Sequence, residues 1–173
     1  RMVEQLLLGT SDPQRVEAGF QRMLPVLNAK APYRLALARL FGTAMEMGQV
    51  AGATGKVQLA DQAFQAAAAA GQRLGRPAAA AEALGRLGEV RLALALPGPA
   101  KQAFDLADKL LSEKGNPRTK ARIALLRGEA QILEGDVATA LAGIRGATAQ
   151  LEGIGDQGHA ALGALRVGRL EYE

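Results

Sequence analysis

The chain repeats itself at a step of forty residues. The clearest column holds Gly48, Gly88, Gly128 and Gly168, which are evenly spaced along the sequence. Further columns keep the same step: Ala60, Ala100 and Ala140; Phe64, Phe104 and Ile144; Ala67, Ala107 and Ala147; and Gly75, Gly115 and Gly155. A fixed period of about 20 to 50 residues is typical of stacked repeats, in which each unit buries its apolar face against its neighbours. We therefore expect an array whose main role is to present an extended surface.

Composition favours helices over strands. Hydrophobic residues make up 49% of the 173 residues but aromatic residues only 3%, so the core must consist mainly of Ala, Leu, Val and Ile. Ala and Leu are strong helix formers, and β-branched residues are few. The chain contains no cysteine, which excludes disulfides and thiolate metal sites and fits a cytoplasmic location. No uncharged apolar run is long enough to span a membrane, so no membrane partner is expected.

Proline, glycine and apolar spacing predict two helices in the unit from Pro77 to Asn116. Pro77 suits the first turn of a helix, and the segment 97–99 (Pro-Gly-Pro) is expected to end that helix. A second helix is predicted from about Pro99 to Lys114, with Gly115 as a left-handed cap. Asn116 and Pro117 then restart the pattern as N-cap and first helical residue.

The neighbouring units follow the same scheme. Helices are predicted over 117–134 and 137–153, with a turn at Gly135-Asp136, and over 56–74 after a break at 52–55. Asp12 and Pro13 are expected to open an N-terminal helix, and residues 1–9 to form the end of a truncated one. The chain begins with Arg and stops at Glu173 inside an expected helix, which predicts a fragment of a longer polypeptide. The predicted division is 1–31 degenerate or capping helices; 32–75, 76–115 and 116–155 complete repeats; and 156–173 the first helix of a truncated further repeat.

A steric role explains the glycine column. Gly48, Gly88 and Gly128 fall late in first helices, where glycine costs about 1 kcal/mol relative to alanine. This cost is acceptable where a neighbouring element must approach closely. We expect the bulky column of Phe64, Phe104 and Ile144 to fill the space between hairpins.

These columns resemble the tetratricopeptide repeat. That family places a Leu-Gly pair in the first helix, then a small residue, an aromatic four residues later and an alanine three beyond it. Here the positions are Leu87-Gly88, Ala100, Phe104 and Ala107, and the resemblance covers about residues 32–173. The period exceeds the family's usual 34 and is similar to that of the helical sensor region of maltose-type bacterial activators. The resemblance implies an all-α, right-handed superhelical solenoid of antiparallel helix hairpins, about four in number with truncated ends.

In such a fold the first helices line a concave surface, which supplies the candidate site. The candidates are polar residues at or near that lining: Glu46, Gln49, Arg86, Glu89, Arg122, Glu129, Arg166 and Arg169. They predict a groove for an extended peptide or a helix. The alternative is that they are ordinary solvated charges, many of them paired within one helix.

No catalytic, cofactor or metal site is predicted. His159 is the only histidine, and we expect it on a helix surface. Asp105 and Asp108 share a helical face with Lys101 and Lys109 nearby, which favours a solvated charged face over metal binding. The chain is therefore not expected to be an enzyme.

The leading hypothesis is a non-catalytic protein-interaction scaffold or sensor segment of a larger bacterial regulatory protein. Its partner would be a protein or peptide, including other domains of the same chain, and the truncated ends could self-associate. One alternative is a solenoid that senses a small effector. An RNA-binding helical repeat is disfavoured, because the column of Gln49, Glu89, Glu129 and Arg169 contains two successive acids. The net charge of +4 is spread over a mixed surface without a basic stripe.

Overall fold

The chain is built from helices joined by short turns. A computed structural model describes residues 13–111 and 115–172, and every regular element in these ranges is helical. The first helix, α1, is followed by a 3₁₀ segment at Leu24–Asn28. The eight α-helices of the described ranges are α1 Pro13–Met23, α2 Arg34–Ala53, α3 Val57–Arg73, α4 Pro77–Ala93, α5 Pro97–Leu111, α6 Pro117–Leu133, α7 Val137–Gly153 and α8 Gln157–Tyr172. The all-α prediction is confirmed.

The helices form two compact units, which divide within α4 after Ala83. In the first unit α1 packs on α2, and α2 packs on α3. In the second unit α5 packs on α6, α6 on α7, and α7 on α8. The core of the last three helices is apolar and small, and consists of Ala121, Leu125, Ile144, Ala147, Leu151 and Ala160.

A single turn geometry recurs at multiples of twenty residues, which is half the sequence period. Within residues 13–111 and 115–172, five residues have positive φ, and each lies between two helices: Gly55, Gly75, Ala95, Gly135 and Gly155. Position 115 of the series is not among them. At the first turn, Gly55 N–H donates to the Gly52 carbonyl (3.3 Å) and Lys56 N–H donates to the Ala51 carbonyl (2.8 Å). The other four turns repeat this pair of bonds, which defines a Schellman C-cap. The residue that follows each positive-φ residue also makes a recurring bond, because its carbonyl accepts from the backbone N–H of the alanine four positions later. These alanines are Ala60, Ala80, Ala100, Ala140 and Ala160, and all five are buried.

Most predicted boundaries agree with these elements, but one is wrong. The bounds of α7 and the start of α6 are confirmed, with Asn116 and Asp136 as N-caps whose side chains accept from backbone N–H groups. The segment 97–99 does not end a helix. Instead, α4 ends at Ala93, Ala95 makes the turn with φ 55°, and Pro97 begins α5, because proline at the first helical position sacrifices no hydrogen bond.

Several predictions fall outside the described residues. These are the truncated helix over 1–9, the contribution of Asp12, and the end of the second helix near Lys114. Gly115 is described, and a Cβ built there would lie 2.4 Å from the Leu111 carbonyl oxygen. Any side chain at this position would therefore clash with the end of α5.

The glycine column permits close helix contact, as predicted. A Cβ added to Gly48 would lie 2.6 Å from the ring of Phe64, one on Gly88 would lie 2.3 Å from Phe104, and one on Gly128 would lie 2.4 Å from Ile144. Each of the bulky residues packs inside its own hairpin, against the glycine sixteen residues before it, because removing the Cβ leaves a notch there. Ile144 also belongs to a core cluster that includes Ala160 of the following hairpin. That Phe64 and Phe104 fill the space between hairpins stays a prediction.

Two further glycines, which the sequence analysis does not single out, allow contact between consecutive hairpins. A Cβ on Gly71 of α3 would lie 3.0 Å from the backbone of Ala80 in α4. A Cβ on Gly163 of α8 would lie 2.0 Å from the Thr148 hydroxyl of α7. Small residues thus set the helix spacing both within hairpins and from one hairpin to the next.

Candidate partner-binding groove

The second unit contains an open groove of about 640 Å³ whose walls come from three helices. Helices α4, α6 and α8 are the first helices of successive repeats, so the same face of each repeat lines the groove. The lining residues are Glu89, Leu92 and Ala93 of α4; Leu126, Glu129, Ile132 and Leu133 of α6; and Arg166, Arg169 and Leu170 of α8.

The lining follows the forty-residue period. Leu92 and Ile132 are equivalent positions, as are Ala93 and Leu133, and as are Glu89, Glu129 and Arg169. A helix keeps the same face toward the same side at each repeat, so equivalent positions form rows across the groove. The lining therefore combines a set of apolar residues (Leu92, Leu126, Ile132, Leu133 and Leu170), called the floor below, with a row of charged ones.

Four of the eight candidate residues lie in this lining. They are Glu89, Glu129, Arg166 and Arg169. Arg86 and Arg122 lie beside the groove and contact Glu89, at 3.1 Å and 3.4 Å between guanidinium nitrogen and carboxylate oxygen. Glu46 and Gln49 lie exposed on α2 in the first unit, and neither is among the lining residues.

The charges of the groove are organised mainly by pairs between helices. Glu89 of α4 accepts from Arg122 of α6, and Glu129 of α6 pairs with Arg166 of α8. Of these contacts, only the pair of Arg86 and Glu89 lies within one helix, as the alternative prediction expected. Each acid of the repeated column thus forms an ion pair with an arginine of the next first helix, which joins neighbouring walls of the groove.

Burial affects one of these cations. Desolvation lowers the pKa of the Arg166 guanidinium, although an arginine remains protonated at neutral pH. About a third of its side chain is exposed and the rest is covered. The Arg166 guanidinium is partly removed from water and held against Glu129. It therefore keeps one position on the groove wall, whereas an exposed lysine ammonium moves freely.

The apolar part of the lining was missed by reasoning from the sequence. Leu92, Leu126, Ile132 and Leu170 are partly exposed, and Leu133 is 59% exposed. A leucine in a predicted helix is more often a core residue than a binding residue, so leucine alone does not indicate a groove. The signal that could have found these positions is their recurrence forty residues apart on the face that carries Glu89 and Glu129.

The remaining polar candidates have structural roles. His159 Nδ1 lies 2.9 Å from Asp156 Oδ1 at the start of α8, and the Arg118 guanidinium lies 3.2 Å from Asp156 Oδ2. The bond to His159 is the main reason that the pKa of Asp156 is lowered. Asp105 and Asp108 contact Arg127 at 3.3 Å and 3.8 Å, rather than the lysines expected nearby.

Within residues 13–111 and 115–172, no group of three or more His, Asp or Glu side chains is placed to hold a metal ion. Among the described helices, none combines the length and the apolar character needed to cross a bilayer. No protein-family model matches the chain, and no curated protein matches it in sequence.

Proposed function

We propose that the chain is a non-catalytic protein-interaction scaffold or sensor segment of a larger bacterial regulatory protein, and that the groove of α4, α6 and α8 receives the partner. The observation that carries this proposal is the lining itself. Three successive first helices offer an apolar floor with paired charges beside it. Protein interfaces typically have this composition, with an apolar centre and a polar rim.

The finer architecture belongs to the same proposal. We propose that the hairpins form a right-handed superhelix of the tetratricopeptide type, located in the cytoplasm. Support comes from the glycine notch and bulky side chain that recur in three hairpins. The helical content alone is compatible with several all-α folds, so an experimental structure that shows the sense of the superhelix is the direct test.

A peptide or helix with leucine-sized side chains suits this floor. Leu126, Ile132 and Leu133 would contact its apolar side chains, while Glu129 and Arg166 would orient its polar ones. Because most of these charges already have partners within the protein, they contribute more to specificity than to affinity. The affinity would come mainly from apolar burial.

A display library of 12- to 16-residue peptides, screened against the whole chain, tests this function. Leu133→Arg should weaken the selected peptides at least tenfold in fluorescence anisotropy, because it places a charge on the groove floor. The matched control is Leu106→Arg, since Leu106 is a 40% exposed leucine of α5 outside the lining. Hydrogen exchange should show protection confined to α4, α6 and α8. Peptides that bind both variants equally would count against the groove.

A small-ligand effector site is the second candidate, and the groove volume favours it. A space of about 640 Å³ falls within the usual range of about 300–1,000 Å³ for ligand pockets. A ligand at one hundred times its Kd adds about 2.7 kcal/mol to stability, so a thermal-shift screen against a metabolite panel would detect it. Stabilisation that Leu133→Arg abolishes, together with a failed peptide screen, would favour this function over the first.

A further inference from the structure

The turn before α2 and the turn after α3 together carry a cluster of cations in the first unit. The Arg73 guanidinium at the end of α3 donates hydrogen bonds to the carbonyls of Leu27 and Ala29, the latter at 2.7 Å. Arg34 Nη2, at the start of α2, donates to the Leu74 carbonyl at 3.4 Å. These bonds hold the segment 27–34 against the end of α3. The exposed residues of this edge form what we define as the basic rim: Lys30, Tyr33, Arg34, Leu35, Arg73 and Arg76.

The two stretches of sequence that form the rim contain no acidic residue. Neither residues 18–45 nor residues 62–81 include an Asp or a Glu. The hydrogen bonds of Arg34 and Arg73 go to neutral carbonyls, which fix the guanidinium groups without cancelling their charge. In the same unit Glu17 pairs with Lys56 where α3 begins, and the other described acids lie within helices, at Glu46, Asp61 and Glu82. The rim is therefore a positively charged surface that the fold assembles from segments about forty residues apart.

The rim also lacks helix caps that the later repeats use. Helices α6 and α8 begin after Asn116 and Asp156, whose side chains accept hydrogen bonds from backbone N–H groups. The equivalent residue before α4 is Arg76, which has no acceptor atom and cannot act as a cap. Helix α2 begins after Tyr33, whose side chain makes no capping bond. Residues that are unfavourable for the local fold are typical of functional sites.

The exposure of the rim does not depend on the ends of the chain. Arg73 and Arg76 lie between α3 and α4, well inside the sequence, and both are exposed. The equivalent turn before α6 has helices packed on α6 from both sides along the chain, yet Asn116, Pro117 and Arg118 are exposed there too. Turns run over the surface of a domain, and stacked hairpins pack through the faces of their helices.

We infer that the basic rim binds an acidic segment of a partner protein, in which carboxylates flank an aromatic or aliphatic residue. Guanidinium groups held in place pair with carboxylates through two parallel hydrogen bonds, and opposite charge selects such a partner. Tyr33 is 85% exposed and Leu35 is 64% exposed, so both can contact an apolar side chain between the carboxylates.

The composition of the rim favours a protein partner over a nucleic acid. Three of its four cations are arginine, and protein interfaces are enriched in arginine and tyrosine and depleted in lysine. A phosphate backbone would use the cations but would make no use of Leu35. The rim belongs to the first unit and the groove lining to the second, so this inference goes beyond the proposed function and does not depend on it.

Fluorescence anisotropy of the whole chain with a labelled peptide of two Glu-Glu-Leu-Glu-Glu-Phe repeats tests the binding. The peptide should bind in 50 mM NaCl and lose at least tenfold in affinity in 300 mM NaCl, because salt screens charges on an exposed surface. Lys30→Glu and Arg76→Glu should each weaken it at least fivefold. The matched control is Lys109→Glu, which reverses an exposed cation of α5 in the second unit and should leave the affinity unchanged.

Arg76→Asn separates binding from folding. It places before α4 the residue that caps α6, so the thermal midpoint should rise while the affinity for the peptide falls at least threefold. Tyr33→Ala should weaken the peptide at both salt concentrations, since it removes an apolar contact and no charge. Wild-type affinity in Arg76→Asn, or in Arg76→Glu, would overturn the inference.

Two further probes distinguish the classes of partner. An oligothymidylate with eight phosphates matches the eight carboxylates of the peptide, and phosphatidylserine vesicles present an anionic membrane. Tighter binding of either probe, lost in Arg76→Glu, would overturn the assignment to a protein segment, and so would the absence of peptide binding at 500 µM protein. Leu133→Arg should leave the affinity for the acidic peptide unchanged, so failure of the rim and failure of the groove are distinguishable.

Discussion

A glycine inside a helix costs about 1 kcal/mol relative to alanine, and four helices of this protein keep one at equivalent positions, Gly48, Gly88, Gly128 and Gly168. At the first three, a side chain of the following helix packs against the glycine. The reason lies in the contact made there. The side chains opposite Gly88 and Gly128 are fully buried, and that opposite Gly48 is 4% exposed. A methyl group at these positions would occupy the space that the ring or the isoleucine already fills.

Gly88→Ala should therefore destabilise the protein in spite of its higher helix propensity. We expect a loss of about 1–3 kcal/mol, the usual cost of overpacking, because the buried Phe104 ring cannot move away. The control is Gly146→Ala on α7, where a Cβ meets nothing within 4 Å and stability should rise by up to about 1 kcal/mol. Urea denaturation measures both. Equal effects of the two substitutions would refute the steric explanation.

Phe104→Ala should cost about 3–5 kcal/mol, as for other buried aromatic residues. In the Phe104→Ala background, Gly88→Ala should reduce the free energy of unfolding much less, since its methyl group then points into the space that the ring has left. The two changes should consequently be non-additive in a double-mutant cycle. Additive changes in the free energy of unfolding would mean that the two residues do not share this contact.

Asp156 should give the fold a specific sensitivity to acid. Its hydrogen bond with His159 is the main cause that lowers its pKa, and Arg118 contributes in the same direction. The ionised form is favoured by folding, so its stabilisation is present above the ordinary aspartate pKa of about 3.9 and is lost as the pH falls through and below that value. Asp156→Asn should lower the thermal midpoint at pH 7 and match the wild type more closely at pH 2–3. A constant difference across this pH range would contradict the assignment.

At the scale of elements, the repeat consists of a recurring turn as well as of recurring helices. Five turns use the same pair of backbone hydrogen bonds and the same left-handed residue. Four of the five place glycine there, and the fifth places Ala95 with φ 55°. The left-handed conformation costs a residue with a Cβ roughly 1–2 kcal/mol, so the α4–α5 turn is the strained one of this set.

Ala95→Gly should relieve that strain. Because glycine also loses more backbone entropy on folding, the net stabilisation should be about 0.5–1 kcal/mol. The reverse change, Gly135→Ala, should destabilise by about 0.5–1 kcal/mol for the same two reasons, since nothing else contacts that position. Thermal and urea denaturation would measure both. A loss of stability in Ala95→Gly would show that the alanine methyl makes a contact that outweighs the backbone cost.

At the scale of the whole molecule, contacts are concentrated in two sets of helices, 13–83 and 84–172. In repeat proteins each unit interacts with its neighbours, so stability is distributed locally along the array. Gly88→Ala should accordingly accelerate hydrogen exchange mainly in α5 to α8, and much less in α1 to α3. Mass spectrometry of peptic fragments would show this. Equal acceleration in both sets would indicate one cooperative unit.

Much of the fold could be predicted from local chemistry. Pro77, Asn116-Pro117 and Asp136 mark helix starts because an N-cap or a first-turn proline acts on its own few residues. The segment 97–99 misled the prediction because proline both ends and begins helices, and only the φ of Ala95 shows which occurs. The spacing of the turns leaves a trace in the glycines at 55, 75, 135 and 155, but Ala95 interrupts it, so the shared geometry follows only from the backbone hydrogen bonds.

The sequence by itself determined the helical class, the forty-residue period and the residues that must be small, because propensity and steric bulk belong to each residue. Only the tertiary structure decided what those residues face. It placed Phe104 against Gly88 inside one hairpin, joined Glu129 to Arg166, and left Leu133 exposed in the groove. Burial and pairing depend on residues brought together from distant parts of the chain, and the spacing within one helix does not specify them.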